Sequence, residues 1–388
     1  MEPLCGRIRD YAWGSRTVIA DLQGRPVPSP GPEAELWLGA HPDSPAAVVR
    51  GGGKVSLADL LAAEPERWLS APLVDRFGPR LPYLMKVLAA EAPLSLQVHP
   101  DAEQARQGYA AQHGDRRTYA DPYHKPELLV ALTPFEALCG FRDPAISAEV
   151  LAAFGVPALA PVIERLRTGP DGLSAAVRTL LTWPQPERAA LVSAVVGADV
   201  APAFAADAAL ARRLADRYPT DPGVLVALLL NRVELAPGEA IWMPAGNLHA
   251  YLRGAGVEIM AASDNVLRGG LTPKHVDVPE LLRILRFAVL ADPVRAAVPV
   301  APGVVTWPVP VDDFALHAVR LDAGVPQAVL APPGPRILLC VSGVVTAADS
   351  RGALTLGRGQ AAIGPAGGGE LVLRGEGEVF VASAGFAA

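Results

Sequence analysis

Residues 238–249 read G-E-A-I-W-M-P-A-G-N-L-H, and a closely similar phrase, G-Q-A-A-I-G-P-A-G-G-G-E, returns at residues 359–370. Both copies fit the pattern G-x5-P-x-G-x2-[H/E]. This pattern predicts a glycine turn, a short strand, a Pro-x-Gly corner and then one side chain projected at a fixed place. The first copy ends in His249, which can bind a metal, and the second ends in Glu370. The chain therefore contains an internal repeat, and its two copies differ at the position where the first copy has a residue that can bind a metal.

The spacing of the repeat resembles the second signature motif of cupins, which are small antiparallel jelly rolls that bind a metal in the mouth of a barrel. The resemblance implies two such barrels, of which only the first keeps its histidine. We therefore predict a mostly β protein with an α-helical insertion, built from two cupin-type jelly-roll barrels plus a helical domain.

The character of the sequence predicts where these parts lie. Residues 1–143 mix short β-prone runs with turn clusters, and strand-like sequence resumes at Arg232, so residues 1–143 and 221–300 are expected to form a discontinuous catalytic barrel. Residues 144–220 are rich in Ala and Leu, show helical periodicity and contain no histidine, so we expect them to pack and not to catalyse. Asp143 followed by Pro144 is typical of a helix start. Residues 301–388 are predicted to form a second, metal-free barrel of short strands, with a break at residues 375–377.

Composition excludes several classes of protein. The 388 residues are 51% hydrophobic, enough for two or three domains with filled cores. No apolar run reaches the roughly 18 residues that span a bilayer, and the start M-E-P-L-C-G-R-I-R lacks a signal peptide's apolar stretch, so we expect a soluble cytoplasmic protein with no membrane partner.

The net charge of −6 argues against nucleic acid as a partner. Three scattered cysteines without a C-x-x-C pair argue against disulfides and thiolate zinc sites. The sequence does not decide the oligomeric state, and a monomer is compatible with it.

The remaining metal ligands are sought among residues that could join His249. His99 lies in S-L-Q-V-H-P, where strand alternation sends Gln97 to the same face and Ser95 extends that face. Three polar side chains on one face of a buried strand are costly unless something occupies that side. Glu127 stands at the head of an apolar strand. Singly, His99 could be a turn residue and Glu127 a strand cap, but together the four offer two nitrogen and two oxygen donors suited to one zinc ion.

Seven phrases along the chain carry a more specific resemblance: Y-A-W-G-S (11–15), A-E-L-W-L-G-A-H-P (34–42), L-P-Y-L-M-K-V-L (81–88), S-L-Q-V-H-P (95–100), Y-H-K-P-E (123–127), P-A-G-N-L-H-A-Y-L (244–252) and E-I-M-A-A-S-D-N-V-L-R-G-G-L-T-P-K (258–274). They are similar, in order, to type I mannose-6-phosphate isomerases, from about residue 8 to residue 278. The resemblance implies a zinc held by Gln97, His99, Glu127 and His249, an active-site role for Arg268, and a small phosphosugar as partner. It implies interconversion of mannose 6-phosphate and fructose 6-phosphate. The C-terminal region is similar only in architecture.

Aldose–ketose isomerisation moves a proton between C2 and C1 through an enediol, so it needs a base near these carbons and positive charge near their oxygens. The run at residues 262–274 holds Asp264, Arg268 and Lys274; taken alone it is compatible with a solvated loop. Given the resemblance, we expect Arg268 to stabilise the enediolate or bind the sugar oxygens. Lys274 and Lys86 are the candidates for the phosphate.

The catalytic base is chosen among Lys125, His124, Glu258 and Asp264, which all stand in matched motifs. We favour Lys125, because alternation places it on the same face as Glu127 two residues later. His124 is also predicted to bind substrate, although neighbours in a regular strand face opposite sides. Pro126 relaxes that rule, since a proline can start or bend a strand.

Tyr251, two residues beyond His249, is expected to line the same pocket, together with Ser95. Trp13, Trp37 and His41 belong to motifs similar to those of the family, but they are left out of the predicted site because they could be purely structural.

Two other functions stay open. A cupin iron oxygenase would prefer two histidines and one carboxylate with open positions, and has no need of Gln97 or of a lysine and arginine set. A non-catalytic sugar-binding double barrel would have no reason to keep Arg268 beside Lys125.

Overall fold

The structure is a computed structural model, and it describes residues 1–112 and 117–385. Within these ranges the strands are β1 (Glu2–Cys5), β2 (Arg7–Arg9), β3 (Glu35–Leu38), β4 (Ala47–Arg50), β5 (Gly53–Ser56), β6 (Tyr83–Ala90), β7 (Leu96–Val98), β8 (Glu127–Ala131), β9 (Phe135–Phe141), β10 (Leu230–Leu235), β11 (Ala240–Met243), β12 (His249–Ala261), β13 (Leu267–Gly270), β14 (Val294–Arg295), β15 (Val298–Ala301), β16 (Val304–Thr306), β17 (Ala315–Leu321), β18 (Gln327–Leu330), β19 (Arg336–Asp349), β20 (Gly352–Gly357), β21 (Ala361–Gly364) and β22 (Leu371–Ser383).

The helices of the same ranges are mostly short. They are α1 (Val18–Leu22), α2 (Leu57–Ala63), α3 (Pro65–Leu69), α4 (Ala71–Phe77), α5 (Ala102–Ala111), α6 (Pro144–Ala153), α7 (Ala160–Arg167), α8 (Pro170–Leu181), α9 (Arg188–Val196), α10 (Ala205–Arg217), α11 (Gly223–Ala227) and α12 (Val278–Ile284), with 3-10 turns at Pro157–Leu159, Gln185–Glu187 and Pro202–Phe204. No helix in the described ranges has the length and apolar character needed to cross a membrane.

One sheet of eleven strands carries the predicted site. Its main path runs β14-β11-β8-β12-β6-β3-β2, and β7, β9, β10 and β13 join it to the side. The long strand β12 connects the main path to these side strands. Its second half pairs with β6 and β8 of the main path, and its first half pairs with β7 and β9. All eight residues of β6 are buried, as expected of a short apolar run that has protein on both faces.

A second sheet of eleven strands contains the C-terminal strands and also β1, β4 and β5, because β1 pairs with both β21 and β4. The extreme N-terminal strands therefore lie with residues 301–385, which differs from the predicted grouping of all residues 1–143 in the catalytic barrel. The protein is mostly β with added helices, as predicted. The division into two closed cupin barrels remains a prediction.

The predicted break in the last strand does not occur. The strand β22 pairs with β19 without interruption through Gly375 and Gly377, whose φ angles are 129° and 148°. A Cβ at Gly375 would lie 2.4 Å from the carbonyl oxygen of Val344. The glycines thus let the ladder bend while it stays paired, because only residues without a Cβ tolerate this approach.

The helical segment lies where the Ala- and Leu-rich sequence predicted it. The Asp143 side chain accepts a hydrogen bond from Ala145 N at 2.7 Å and caps α6. In α8, the apolar stripe formed by Leu173, Val177 and Leu180 is buried. This stripe shares one hydrophobic cluster with Leu96 of β7. The helices therefore pack directly on the sheet that carries the site.

The internal repeat is visible in the backbone. Gly238 and Gly359 precede β11 and β21 with φ angles of 91° and 76°, and the corner residues Gly246 and Gly367 have φ angles of 77° and 72°. The first copy then leads into His249 at the start of β12, and the second leads into the exposed Glu370 before β22. The two copies share one conformation and end in side chains with different surroundings.

Candidate active site

Three strands bring the predicted metal ligands together. His249 begins β12 and is the cross-strand partner of Gln97 in β7, while Glu127 begins the neighbouring strand β8. The Nε2 atoms of His99 and His249 lie 3.2 and 3.4 Å from Glu127 Oε2. Gln97 Nε2 lies 3.3 Å from His249 Nε2. Rotating the amide by 180° would present the Gln97 oxygen to the same point.

Both imidazoles are held in the orientation that a metal ligand needs. His99 Nδ1 donates to the carbonyl oxygen of Asn265 at 2.7 Å, and His249 Nδ1 donates to that of Asn247 at 3.0 Å. A proton fixed on Nδ1 leaves the Nε2 lone pair free to bind a metal. Each ring therefore directs its Nε2 atom toward the Glu127 carboxylate.

Among the residues that the structure describes, two buried atoms at the centre of this cluster have no hydrogen-bond partner, His99 Nε2 and Glu127 Oε2. Burial lowers the pKa of His99 to about 4. Burial acts to raise the pKa of Glu127, but the charges of Lys125 and His99 outweigh it and hold that pKa well below its usual range. Neutral imidazole and ionised carboxylate are the forms that bind metal, and an orphaned buried pair is costly without one. These donors fit a zinc ion.

A cavity of about 870 Å³ opens above this cluster. The wall and floor of the cavity contain nearly all residues that the sequence predicted, namely Lys86, Ser95, Gln97, Lys125, Glu127, Tyr251, Glu258, Asp264, Arg268 and Lys274. His99 and His249 lie beneath it, with 1% and 0% of their surface exposed.

Buried acids and bases alternate along one side of the cavity. Lys125 Nζ lies 2.5 Å from Glu127 Oε1. Lys86 Nζ lies 3.4 Å from Glu35 Oε1 and 3.3 Å from Glu258 Oε2. From the sequence we had expected Lys86 to bind the phosphate. Because its ammonium group is already paired with two carboxylates, it is poorly suited to that role.

Glu258 has the surroundings of a proton-transfer group. The Tyr251 hydroxyl donates to Glu258 Oε1 at 2.6 Å. Burial raises the pKa of Glu258, and the negative charge of Glu127 raises it further, against the opposite effect of Lys86. Burial also raises the pKa of Tyr251 well above its usual value, so this phenol stays protonated.

Two cations stand on the other side of the cavity. Arg268 is the cross-strand partner of Gln97, so its side chain leaves the same face as a proposed ligand. Burial lowers the pKa of Arg268, and the charge of Arg268 lowers the pKa of Lys274. In the part of the chain that the structure describes, neither side chain forms an ion pair with a carboxylate. Two neighbouring unpaired cations favour an anionic ligand.

Comparison with known proteins places this arrangement in a family. The model for the catalytic domain of type I phosphomannose isomerase matches residues 1–144. Mannose-6-phosphate isomerase of Escherichia coli is 37% identical over 392 residues, which cover 98% of each chain. The human enzyme is 32% identical, with 89% of this chain and 88% of that one covered. This chain belongs to the mannose-6-phosphate isomerase family.

Solved structures agree. A point mutant of phosphomannose isomerase from Salmonella typhimurium has a TM-score of 0.91 and 34% identity, with 100% of both chains covered. A mannose 6-phosphate isomerase bound with zinc and yttrium has a TM-score of 0.89 at 34% identity. The relationship to the mannose-6-phosphate isomerases thus extends over the whole chain, beyond residue 278 where the sequence resemblance was expected to end.

One predicted substrate-binding residue is not in the cavity. His124 Nε2 lies 2.9 Å from Asp313 Oδ2, which joins the segment before β8 to the C-terminal part of the chain. Regular β structure begins only at Glu127. The non-regular backbone at residues 124–126 therefore directs His124 away from Lys125, which alone of the two lines the cavity.

The cavity also contains residues that we did not predict from the sequence. Tyr11, Trp13 and Trp37 line the cavity although we had left the tryptophans out, and Glu35 lines it too. Alternation in β3 places Glu35 and Trp37 on one face, and this signal was present in the sequence. Arg217, at the end of α10, and residues 218–221 also reach the cavity, although residues 144–220 were expected only to pack. No local pattern marks them, because their position depends on tertiary packing.

Proposed function

We propose that the protein interconverts mannose 6-phosphate and fructose 6-phosphate by proton transfer through an enediol, with one zinc ion per chain. The observation that carries the proposal is the pair of buried atoms, His99 Nε2 and Glu127 Oε2, that have no hydrogen-bond partner among the described residues and lie beneath a cavity lined by Arg268 and Lys274. When bound, zinc would supply positive charge to polarise the sugar oxygens at C1 and C2.

A second group of metal-capable residues, His41, Asp43 and Asp264, does not change the count of one ion. Asp43 N donates to His41 Nδ1 at 3.3 Å, and His41 Nε2 is 2.9 Å from Asp264 Oδ2. Both ring nitrogens of His41 are therefore already engaged, unlike the free Nε2 atom of His99.

The two cations have different expected tasks. Arg268 leaves β13 opposite Gln97, so we propose that it binds the sugar oxygens and stabilises their negative charge in the enediolate. Lys274 lies farther along the same segment, next to Arg268 and more exposed. It is proposed to bind the phosphate at the mouth of the cavity.

For the proton transfer, the geometry favours Glu258 over Lys125. A carboxyl group with a raised pKa exchanges protons more readily near neutral pH, and Tyr251 and Lys86 hold it in place. The Lys125 ammonium is tied to Glu127 at 2.5 Å and is better suited to donate a hydrogen bond to a sugar oxygen. Asp264 remains a further acceptor at the cavity wall.

The test is a coupled assay of fructose 6-phosphate formation in D2O, with and without a chelator. We expect activity that depends on zinc and deuterium from solvent at C1 of the product. The Glu258→Gln variant should keep its zinc and lose most turnover. Absence of isomerisation by the zinc-loaded protein would refute the function. Full turnover without solvent deuterium, together with full turnover of the Glu258→Gln variant, would refute only the proton-transfer route through Glu258.

The two alternative functions, a cupin iron oxygenase and a non-catalytic sugar-binding protein, are set aside. The chain is an enzyme of the mannose-6-phosphate isomerase type, and its relatives of that name match it over most of its length.

A further inference from the structure

The segment that carries both cations has an unfavourable backbone conformation. At the end of β13, Gly270 has a φ angle of 128° and Leu271 one of 54°. Leu271 is fully buried. A non-glycine residue with positive φ is uncommon, and it persists where the surrounding structure enforces it. Something outside residues 268–274, which we call the cation loop, must therefore stabilise this turn.

The stabilising contacts come from the chain that leaves the helices. Asp221 Oδ2 accepts a hydrogen bond from Thr272 N at 3.3 Å, and Asp221 Oδ1 accepts one from Gly223 N at 2.7 Å. One carboxylate thus joins the start of α11 to the residue that follows Leu271. Both of its oxygens are engaged with backbone N–H groups.

Backbone packing at the same place leaves no space. A Cβ added at Gly270 would lie 2.7 Å from Gly223 Cα, and one added at Gly223 would lie 2.8 Å from Gly270 Cα. The two backbones meet without side chains between them, so a small shift of α11 would be transmitted to the cation loop.

We propose that Asp221 is a positioning residue for phosphate recognition. It holds the cation loop in its left-handed turn, so that Lys274 is directed into the cavity, while Arg268 is held separately by its pairing with Gln97 in β7. The helical segment thereby contributes to substrate affinity and does more than fill space. This inference rests on the proposed function, because it assumes that the anion bound there is the substrate's phosphate.

The charge of Asp221 makes the proposal easy to distinguish from its alternative. Asp221 lines the same cavity as Lys274, so its carboxylate is a negative charge near the anion site. If Asp221 had no positioning effect, its removal would leave anion binding unchanged or strengthen it through lost repulsion. If it positions the loop, its removal weakens anion binding despite the more favourable charge.

The experiment compares zinc-loaded, full-length Asp221→Ala, Asp221→Asn and wild-type protein. The measurements are KM and kcat for mannose 6-phosphate and the inhibition constant of inorganic phosphate. The matched control is Asp216→Ala, an exposed aspartate in α10 of the same segment. For Asp221→Ala we expect KM and the phosphate inhibition constant to rise roughly tenfold each, the loss of about one charge-assisted hydrogen bond, with kcat within about threefold. Asp221→Asn should be intermediate, since an amide keeps one acceptor oxygen. The control should behave as wild type.

Several outcomes would overturn the proposal: unchanged or tighter phosphate binding in Asp221→Ala, or a loss of kcat without a change in KM. If Asp221→Ala fails to fold, Asp221→Asn decides the question, because it keeps the side-chain volume. If the wild-type enzyme does not isomerise mannose 6-phosphate, the proposed function fails. Calorimetric titration of the same variants with inorganic phosphate would then still test the positioning by Asp221.

Discussion

His41 Nε2 lies 2.9 Å from Asp264 Oδ2, and this bond joins the segment after β3 to the cavity wall. Asp43 N donates to His41 Nδ1, so the ring proton lies on Nε2 and is donated to the Asp264 carboxylate. The ring also packs edge-on against Trp37, with 4.9 Å between centroids. Burial raises the pKa of Asp264, but the hydrogen bond from His41 and the charges of Lys125 and Lys86 outweigh it, so the pKa is lowered.

The first prediction follows from this bond. His41→Phe keeps the packing on Trp37 and removes the hydrogen bond, so the pKa of Asp264 should rise toward its usual value. If Asp264 must be ionised, the acid limb of the kcat/KM profile moves to higher pH in parallel. A pH profile identical to wild type would show that the ionisation of Asp264 does not control turnover.

The same bond predicts how stability depends on pH. A carboxyl with a lowered pKa in the fold stabilises the protein above its unfolded pKa, and this contribution is lost as pH falls through the folded value. The unfolding free energies of wild type and His41→Phe should therefore differ most near neutral pH and converge in acid. Urea unfolding at several pH values measures this difference. A gap that widens in acid would contradict the assignment.

The second prediction concerns the metal. His249→Ala should lose bound zinc and turnover together, because the site has no spare donor to replace the imidazole. Gln97→Ala should be milder, since an amide oxygen is a weaker ligand. Emission spectrometry and activity measurements on the same samples test this. Glu370→Ala, at the corresponding position of the second repeat copy, is the control and should keep both zinc and turnover. A fully active, zinc-loaded His249→Ala protein would refute the site.

Local patterns were enough to predict much of the site. Strand alternation placed Ser95, Gln97 and His99 on one face, and the repeat identified His249; all four lie at the cavity or beneath it. The helical periodicity of α8 was also confirmed by its buried face. These features are patterns of residue types along the chain, so they can be recognised in one sequence without knowledge of tertiary contacts.

What failed depends on contacts between distant segments. The Asp313 partner of His124 comes from the C-terminal part of the chain, and the Glu35 partner of Lys86 comes from β3. Neither pairing has a local signal in the sequence. The first turns His124 away from the cavity, and the second engages the Lys86 ammonium group, so neither side chain is well placed to bind the substrate. The position of β1 in the C-terminal sheet has the same origin, because β1 is paired by β21 at the other end of the chain.

The third prediction separates the two cations. An enediolate carries negative charge that the bound sugar lacks, so Arg268→Ala should lower kcat by about 10²-fold while zinc stays bound. Lys274→Ala should act mainly on KM, because the phosphate has the same charge in substrate and transition state. Steady-state kinetics on zinc-loaded variants test the contrast. If Arg268→Ala raised KM alone, Arg268 would be a phosphate ligand.

The last prediction concerns the second copy of the repeat. Met243 pairs with Glu127, and at the corresponding position Gly364 pairs with Arg336, so a buried arginine stands where the first copy has a proposed metal ligand. Arg336 donates to Gly369 O at 2.7 Å and to Asp349 Oδ2 at 3.3 Å, and the Asp349 side chain is fully buried. The guanidinium thus fixes the corner of the second copy.

Arg336→Ala should destabilise the protein by about 1.5–3 kcal/mol, since it removes the guanidinium from the buried Asp349 carboxylate, which keeps the hydrogen bond from Arg351 N. Zinc content and kcat of the folded fraction should not change. Arg351→Ala, which removes an exposed arginine bound to Ala366 O, is the matched control and should cost under about 1 kcal/mol. The double variant Arg336→Met with Asp349→Leu should recover much of the loss, because it removes both charges at once. Denaturant unfolding measures all of these. If Arg336→Ala lost turnover while fully folded, the C-terminal sheet would have to contribute directly to the active site.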